Sequence, residues 1–356
     1  RSFVIISTGR YNAGLYNPRS IINLIKEITM AKRIQFAAHG NADVLELTSF
    51  TPAPLGDNEV QVANKAIGIN YIDTYVRSGL YPVEHFPSGL GTEAAGVVIK
   101  TGAHVTSLKE GDRVVYAQSP LGAYSDTHNV PENKVARLPD NISFEQAAAS
   151  FLKGLTVYYL FNETYKLRAG ETFLFHAAAG GVGLIASQWA KAIGAKMIGT
   201  AGSDEKVAKA KAAGAWKVIN YQTESIVERV LALTNNQKVP VVYDSVGKAT
   251  WLDSLHCLQR RGLMVSFGNA SGAVTGVDLG ILNKLGSLYV TRPSISGYIT
   301  TREELDAASE ALFTLIGRGK IDVSVPDNQK FALADAKAAH RYLESRQSQG
   351  SSLLIP

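Results

Sequence analysis

Thr172-Phe173-Leu174-Phe175-His176-Ala177-Ala178-Ala179-Gly180-Gly181-Val182-Gly183 is the stretch that decides the fold of this 356-residue chain. An apolar run of strand length leads into a glycine-rich turn, and the turn opens an apolar helical run, Val182–Ile193, that stops at Gly194. Strand, glycine loop and helix in that order begin a βαβ unit. The loop departs from G-x-G-x-x-G because Ala178 stands where the first glycine belongs. Its remaining glycines still let backbone N–H groups approach a pyrophosphate, and a helix N-terminus favours that negative charge. Alone, such a loop is also compatible with a turn that merely packs a helix on a strand.

The residues downstream favour the nucleotide reading. Lys196–Gly199 reads as a strand, Asp204–Ala213 as a helix stopped by Gly214, Lys217–Ile219 as a strand and Ser225–Leu233 as a helix. Val239–Tyr243, a helix Thr250–Gln259 ending before Gly262, Leu263–Phe267 and a sixth strand Ser287–Thr291 complete the series. Glycine at each helix end suits a left-handed C-cap. Strands alternating with helices imply a parallel, doubly wound sheet. An NAD-specific site wants Asp or Glu about twenty residues past the loop, to hold a ribose 2′-OH. Here Thr200-Ala201-Gly202-Ser203 occupies that place. Lys206 follows within the next helical turn, where it could face a 2′-phosphate, so NADP is the expected dinucleotide; Asp204 and Glu205 would weaken that reading if they pointed inward.

Upstream the pattern is different. Arg33–Phe36, Val44–Leu47, Val60–Ile67, Gly96–Lys100 and Arg113–Tyr116 read as short strands separated by Gly, Pro or Asp, a mainly β region. From Ile142 it turns helical: Ser143 can cap a helix running through Ala148 and Phe151, and a second helical stretch is expected after Gly154. After Pro293 a further helix, Thr301–Ile316, starts with Thr301 and Glu304 at capping-box spacing. A chain of this length suits two domains. Hydrophobic residues at 46% against 19% charged place it in the globular class. One cysteine, Cys257, excludes a disulfide framework and a Cys-rich metal site, and points to a reducing, cytoplasmic setting. No segment reads as a membrane span; Phe173–Ala190 is long and uncharged, but its glycines and His176 suit a buried strand-turn-helix.

The formal charge of +5 is local, because Arg1, Arg10, Arg19 and Lys26 against Glu27 place +3 in the first 29 residues. The remaining +2 argues for no polyanionic partner, so nucleic acid is not expected to bind. Residues 1–29 lack the continuous apolar stretch of a secretory signal. Lys26-Glu27 can be encoded AAG-GAG, a ribosome-binding sequence two codons before Met30, so these residues are expected to be a non-native extension; a transit peptide is the alternative.

Asn70-Tyr71-Ile72-Asp73-Thr74-Tyr75-Val76-Arg77-Ser78-Gly79-Leu80-Tyr81, with Ala177–Gly183, Tyr243-Asp244-Ser245-Val246-Gly247 and Phe267-Gly268-Asn269, resembles the medium-chain dehydrogenase/reductase superfamily. Within it, N-x-x-D-x-x-x-R-x-G-x-Y is the signature of the zinc-independent bacterial NADPH:quinone oxidoreductases of the zeta-crystallin type. The likeness runs from Met30 to Pro356. It implies a GroES-like, mainly β catalytic domain over 30–151, a Rossmann domain over 152–292 inserted into it, and a C-terminal segment 293–356 that completes the first. It further implies that Tyr71, Ile72, Asp73, Thr74 and Tyr75 flank the nicotinamide end of NADPH, with Tyr159 beside the cofactor. Gly181 and Val182 would meet the pyrophosphate, and Gly202, Ser203 and Lys206 the adenosine ribose phosphate. Tyr221 and Ser245 would line the adenine side, Ala270, Ser271 and Gly272 the nicotinamide half, and Arg346 would reach in from the C-terminal segment. The sixth strand would pair with its twin in a homodimer.

Zinc alcohol dehydrogenases of that superfamily carry a ligand histidine in G-H-E, which here is Gly91-Thr92-Glu93. No cysteine precedes Cys257, and the seven histidines are scattered, so no metal site is expected. Without a Lewis acid the expected acceptors are those that take a hydride readily, quinones above all. Tyr75 and Tyr81 are the expected aromatic wall for such an acceptor, with Asn70 and Asp73 orienting loop and cofactor. An enone or enoyl reductase on the same fold, or a non-enzymatic NADPH-binding protein of crystallin or RNA-binding type, are the rival functions.

Overall fold

The computed structural model describes residues 30–345 and 347–356. Three sheets organise them. In the largest parallel array, six strands run in the order Lys217–Asn220, Lys196–Ala201, Thr172–Phe175, Val239–Asp244, Leu258–Ser266 and Tyr289–Thr291. Every neighbouring pair is parallel. Numbered by sequence the order is 3-2-1-4-5-6, so it reverses between Thr172–Phe175 and Val239–Asp244. Ligands of doubly wound sheets bind outside the carboxyl ends of the strands at such a switch point. The apolar strand residues explain the burial: Phe173, Phe175 and Tyr243 are at most 1% exposed and pack edge-on or tilted with Phe161.

Helix ends follow local chemistry, with exceptions. Gly194 and Gly214 adopt φ of +78° and +117° and stop Gly181–Ile193 and Asp204–Ala213, a conformation that costs a residue with a Cβ about 1 kcal/mol. The expectation of a glycine at every end fails elsewhere. Thr234 follows Ile226–Leu233, and the helix expected over Thr250–Gln259 is the shorter Trp251–Cys257. The chain then runs straight into Leu258–Ser266, and Gly262 lies inside that strand. Buried Leu258 is drawn into the sheet opposite Val239, which outweighs its helical neighbours.

A second sheet of seven strands is built around Glu59–Ile69, with Ala94–Thr101, Arg113–Tyr116 and Val135–Arg137 following on one side. On the other side stand Ser352–Ile355 and Lys330–Ala332, both from the C-terminal segment, and Thr127–Pro131 pairs with Glu59–Ile69 as well. A three-stranded sheet orders Glu46–Phe50, Ala31–Phe36 and Ser88–Gly89. The strand expected at Val44–Leu47 begins later, because the Asn41 side chain accepts from Asp43 N (2.9 Å) and folds Ala42–Val44 into a 3-10 turn.

One helix, Phe144–Tyr159, joins the two parts. Ser143 and Gln146 form its capping box. It continues unbroken through Gly154, where two helical stretches were expected. A Cβ at Gly154 would meet the Leu312 side chain of the helix Arg302–Gly317, so the glycine serves helix packing and not chain breaking.

Candidate active site

The phosphate loop folds as its residues require. Ala178 is fully buried, Gly180 N donates to Ala177 O (3.0 Å), and a Cβ at Gly183 would collide with the Ala177 carbonyl and Ala178 backbone. The helix Gly181–Ile193 thereby sits close against its strand. Its N-cap, Gly180, makes no side-chain cap, and the first turn holds no acid. The positive end of this helix is left to an anionic ligand, and Gly181 and Val182 stand there. A dinucleotide pyrophosphate fits this set. Gly350 N donates to Ala179 O (3.1 Å) and Ser351 Oγ to Ala149 O (2.6 Å), so the C-terminal segment is stitched to the loop and to the helix Phe144–Tyr159. Arg346 lies outside the described residues.

Beyond the next strand, Lys196–Ala201, two acids open the helix Asp204–Ala213. Asp204 accepts from Asn220 Nδ2 (2.7 Å) and Glu205 from Gln349 Nε2 (2.5 Å), so an amide donor holds each carboxylate in place. Ser203 caps the helix Asp204–Ala213 through Lys206 N (3.3 Å), and Lys206 is half-buried in its first turn. A side chain on Gly202 would strike the Tyr221 hydroxyl, so Gly202, Ser203, Lys206 and Tyr221 come together.

Ser245 follows the switch-point strand Val239–Asp244. Ala270 N donates to Ser245 O (3.2 Å), Ser271 N to Val246 O (2.8 Å) and Lys248 N to Gly272 O (3.1 Å), zipping the loops 245–248 and 268–272 together. The Asp244 carboxylate, fully buried, accepts from Val246 N, Gly247 N, Thr250 Oγ1 and Ser254 Oγ at 2.7–3.0 Å. His176 bridges Ser254 (2.9 Å) and Thr200 (3.0 Å), which locks the carboxyl ends of three strands; burial pushes its pKa down.

From the catalytic side, the helix Tyr71–Ser78 meets these loops. Asn269 N donates to the Tyr75 hydroxyl (3.0 Å). The Tyr81 hydroxyl lies 3.3 Å from the Asn269 amide and accepts from Arg292 Nη2 (3.2 Å). Tyr75 and Tyr81 are edge-to-face at 5.5 Å, and Tyr159 stacks on Tyr298 at 5.1 Å. Burial pushes the Tyr75 phenol up to about 12, so it stays protonated through the neutral range. Tyr71 and Ile72 are exposed at the helix start, and Thr74 is buried with Oγ1 donating to Tyr71 O (2.7 Å).

Asn70 and Asp73 are scaffolding residues here. Asp73 Oδ2 accepts from Asn70 N (2.8 Å) and from the Tyr124 hydroxyl (2.9 Å). Burial raises its pKa to about 7. Arg77 Nη1 can only donate, so His340 Nδ1 accepts from it (2.8 Å), and His340 Nε2 carries the proton given to Tyr124 (3.1 Å). The chain Arg77→His340→Tyr124→Asp73 thus donates in one direction, and Glu344 closes it through two bonds to Arg77 (2.6 and 3.0 Å). Asn70 Nδ2 donates to Glu93 Oε2 (2.7 Å), and Asn70 Oδ1 accepts from Lys153 Nζ (2.8 Å).

Glu93, Lys153, Tyr124, His340 and Arg292 were not singled out from the sequence for this site. Glu93 carried the one available signal, as the last residue of the altered G-H-E motif. Its carboxylate is spent on Asn70, Leu152 N (2.6 Å) and Lys153. Among the described residues no group of three His, Cys, Asp or Glu could hold a metal ion.

The sequence matches the alcohol dehydrogenase GroES-like domain over residues 56–140 and the zinc-binding dehydrogenase family over 181–314. A quinone oxidoreductase of Salmonella typhimurium is 68% identical over 327 residues, 92% of this chain and 100% of that protein. The solved structure of Escherichia coli quinone oxidoreductase complexed with NADPH superposes with a TM-score of 0.91 at 66% identity, over 92% of this chain and 100% of that one. The chain belongs to the bacterial quinone oxidoreductases of the medium-chain dehydrogenase/reductase superfamily. Its fold is that of the superfamily, a GroES-like domain with a Rossmann sheet. A 2-haloacrylate reductase of a Burkholderia species is a more distant relative, 40% identical over 85% of this chain and 92% of that protein. Although one matched family is described as zinc-binding, this quinone oxidoreductase sequence has Thr92 at the ligand position.

Proposed function

We propose that the chain reduces quinones with NADPH, by hydride transfer and without zinc. The observation that carries this reading is the contact between Asn269 N and the Tyr75 hydroxyl (3.0 Å). It sets an aromatic wall against the loop at the carboxyl end of the Rossmann sheet, beside an uncapped helix N-terminus fit for a pyrophosphate. Bound there, NADPH supplies the hydride. Tyr75 and Tyr81 hold a flat acceptor against it, and the network behind Asn70 and Asp73 keeps their helix in register. Because the Tyr75 oxygen accepts from Asn269, its O–H is left to hydrogen-bond an acceptor oxygen.

The cofactor roles of Tyr71 to Tyr75, Tyr159, Gly181, Val182, Gly202, Ser203, Lys206, Tyr221, Ser245, Ala270 to Gly272 and Arg346 are proposed on the same footing. So are the division into 30–151, 152–292 and 293–356, and the reading of 1–29 as an extension. No helix among the described residues is long and apolar enough to cross a membrane, and a cytoplasmic setting is proposed with that.

Tyr75, kept protonated, also suits an enone reductase, whose product needs a proton. Anaerobic NADPH oxidation with quinones, enones, enoyl thioesters and alcohols, beside an RNA-binding assay, separates the readings. Quinone turnover is expected; turnover of enones alone, or RNA binding without turnover, would overturn the proposal.

A further inference from the structure

We infer that Arg292 contacts the acceptor directly and stabilises the negative charge that forms on its oxygen; this rests on the quinone reductase reading above. Arg292 follows the edge strand Tyr289–Thr291 and precedes a buried proline, Pro293. Nη1 donates to Ser266 O (2.9 Å), at the carboxyl end of the adjacent strand. Nη2 donates to the Tyr81 hydroxyl (3.2 Å). The Asn269 amide is turned so that its nitrogen donates to Gly268 O (3.1 Å) and its oxygen accepts from Arg292 Nη2 (3.1 Å). These bonds aim the guanidinium at the aromatic wall while the residue stays exposed.

No carboxylate pairs with Arg292 among the described residues. Its charge is felt on both sides of the cleft, lowering the pKa of Tyr75 and of Tyr159 against the burial that raises them. A cation bonded to the Tyr81 hydroxyl, with no carboxylate partner among the described residues, is poorly explained as a bracket alone. Its remaining N–H groups suit an electron-rich oxygen.

The electron count specifies when it acts. Hydride brings two electrons and one proton to a quinone, and NADP+ is left. The ring then carries one oxyanion, which takes its second proton from water. A guanidinium stays charged throughout and is no proton source. A neutral quinone presents little to Arg292 before transfer and a full charge after it, so the interaction strengthens in the transition state and is expected to act on kcat. An acceptor with a sulfonate would meet the same cation already on binding.

The test uses Arg292→Gln and Arg292→Lys in the full chain. Arg292→Gln is expected to lower kcat for a neutral naphthoquinone roughly 10- to 100-fold, below the roughly 100- to 1000-fold of an enclosed oxyanion donor because solvent screens this exposed cation. NADPH binding should stay within about twofold. In NADP+-loaded protein, a naphthalenesulfonate should bind about tenfold more weakly to Arg292→Gln, and 2-naphthol as before. Arg292→Lys should recover part of the sulfonate binding. Equal losses for sulfonate and naphthol, or a parallel loss of NADPH, would reduce Arg292 to a structural bracket and overturn the inference. If wild type turns over no quinone yet sulfonate binding falls selectively in Arg292→Gln, the quinone reading fails and the anion site stands. If wild type is active and the variants match it on every measure, the inference alone fails.

Discussion

The Lys153 ammonium donates to Asn70 Oδ1 at 2.8 Å, and the same amide donates to Glu93 at 2.7 Å, so one side chain bridges a buried cation and a buried carboxylate. Lys153 is 5% exposed and Glu93 not at all. Their charged atoms lie 3.7 Å apart, too long for a direct strong hydrogen bond, so the amide carries the connection. The Lys153 stem also lies against Gly181, where a Cβ would meet it. The helix that leads to Tyr75 is thereby coupled to the phosphate loop.

Asn70→Ala should therefore destabilise the fold by about 1–3 kcal/mol, the cost of leaving buried polar groups without partners. Urea denaturation measures it. An unchanged midpoint would mean that Lys153 and Glu93 re-pair directly and that the bridge is dispensable.

Asp73 and His340 should give stability opposite slopes with pH. Burial raises Asp73 from 3.8 to about 7, so its protonated form is favoured in the fold. Its contribution is complete below about pH 4 and lost as pH rises through 7. Burial first, then Arg77, lowers His340 from 6.5 to about 3. Its contribution is complete above pH 6.5 and lost as pH falls through 3. Between pH 4 and 6.5 the two nearly cancel, each at about 1.4 kcal/mol per pH unit. Asp73→Asn should uncover stability that rises with pH in that window, and His340→Gln stability that falls. Flat profiles in both variants would show that neither group titrates with folding.

Lys206→Ala should weaken NADPH binding roughly 10- to 150-fold, from loss of a charge-assisted hydrogen bond of about 1.5–3 kcal/mol to the 2′-phosphate. NADH, which lacks that phosphate, should bind as before. Titrating both cofactors against both proteins decides it; equal losses would make Lys206 an ordinary helix lysine.

Tyr289 and Val290 are 56% and 41% exposed on a sheet edge, and such an edge invites pairing. A homodimer with a continuous sheet is expected, and Val290→Lys should shift it towards monomer. Light scattering at micromolar concentration checks both states, and a monomeric wild type would count against the edge-to-edge dimer.

With Thr92 at the ligand position and Glu93 committed to Asn70, Leu152 and Lys153, chelators should leave turnover unchanged. Elemental analysis should give far less than one zinc per chain. One equivalent would show a site that the sequence does not suggest.

Local rules made much of this protein legible in advance. The strands Thr172–Phe175 and Arg113–Tyr116, the helix Asp204–Ala213, and the caps at Ser143 and Thr301 occur where periodicity and capping chemistry place them. These features depend on residues within about four positions of one another, which sequence spacing states directly. Alternating strands and helices likewise announced a parallel, doubly wound sheet, while its order 3-2-1-4-5-6 came from the structure. Tyr75 and Tyr81 stood out as an aromatic pair before any contact was known.

What surrounds those tyrosines was decided only by tertiary packing. Tyr124 and His340 bond across 216 positions, Arg77 and His340 across 263, and Arg292 and Tyr81 across 211. Nothing in local spacing specifies such partners, because their pairing depends on which faces of distant elements are buried together. Gly154 and Gly262 show the same limit: each has the composition of a breaker, and the neighbours supplied by packing keep one in a helix and the other in a strand. Sequence alone thus determined most strands of the parallel sheet, the caps at Ser143 and Thr301 and the glycine loop. Burial, which makes each unpaired polar group costly, decided that Asn70 and Asp73 became the supports of the site.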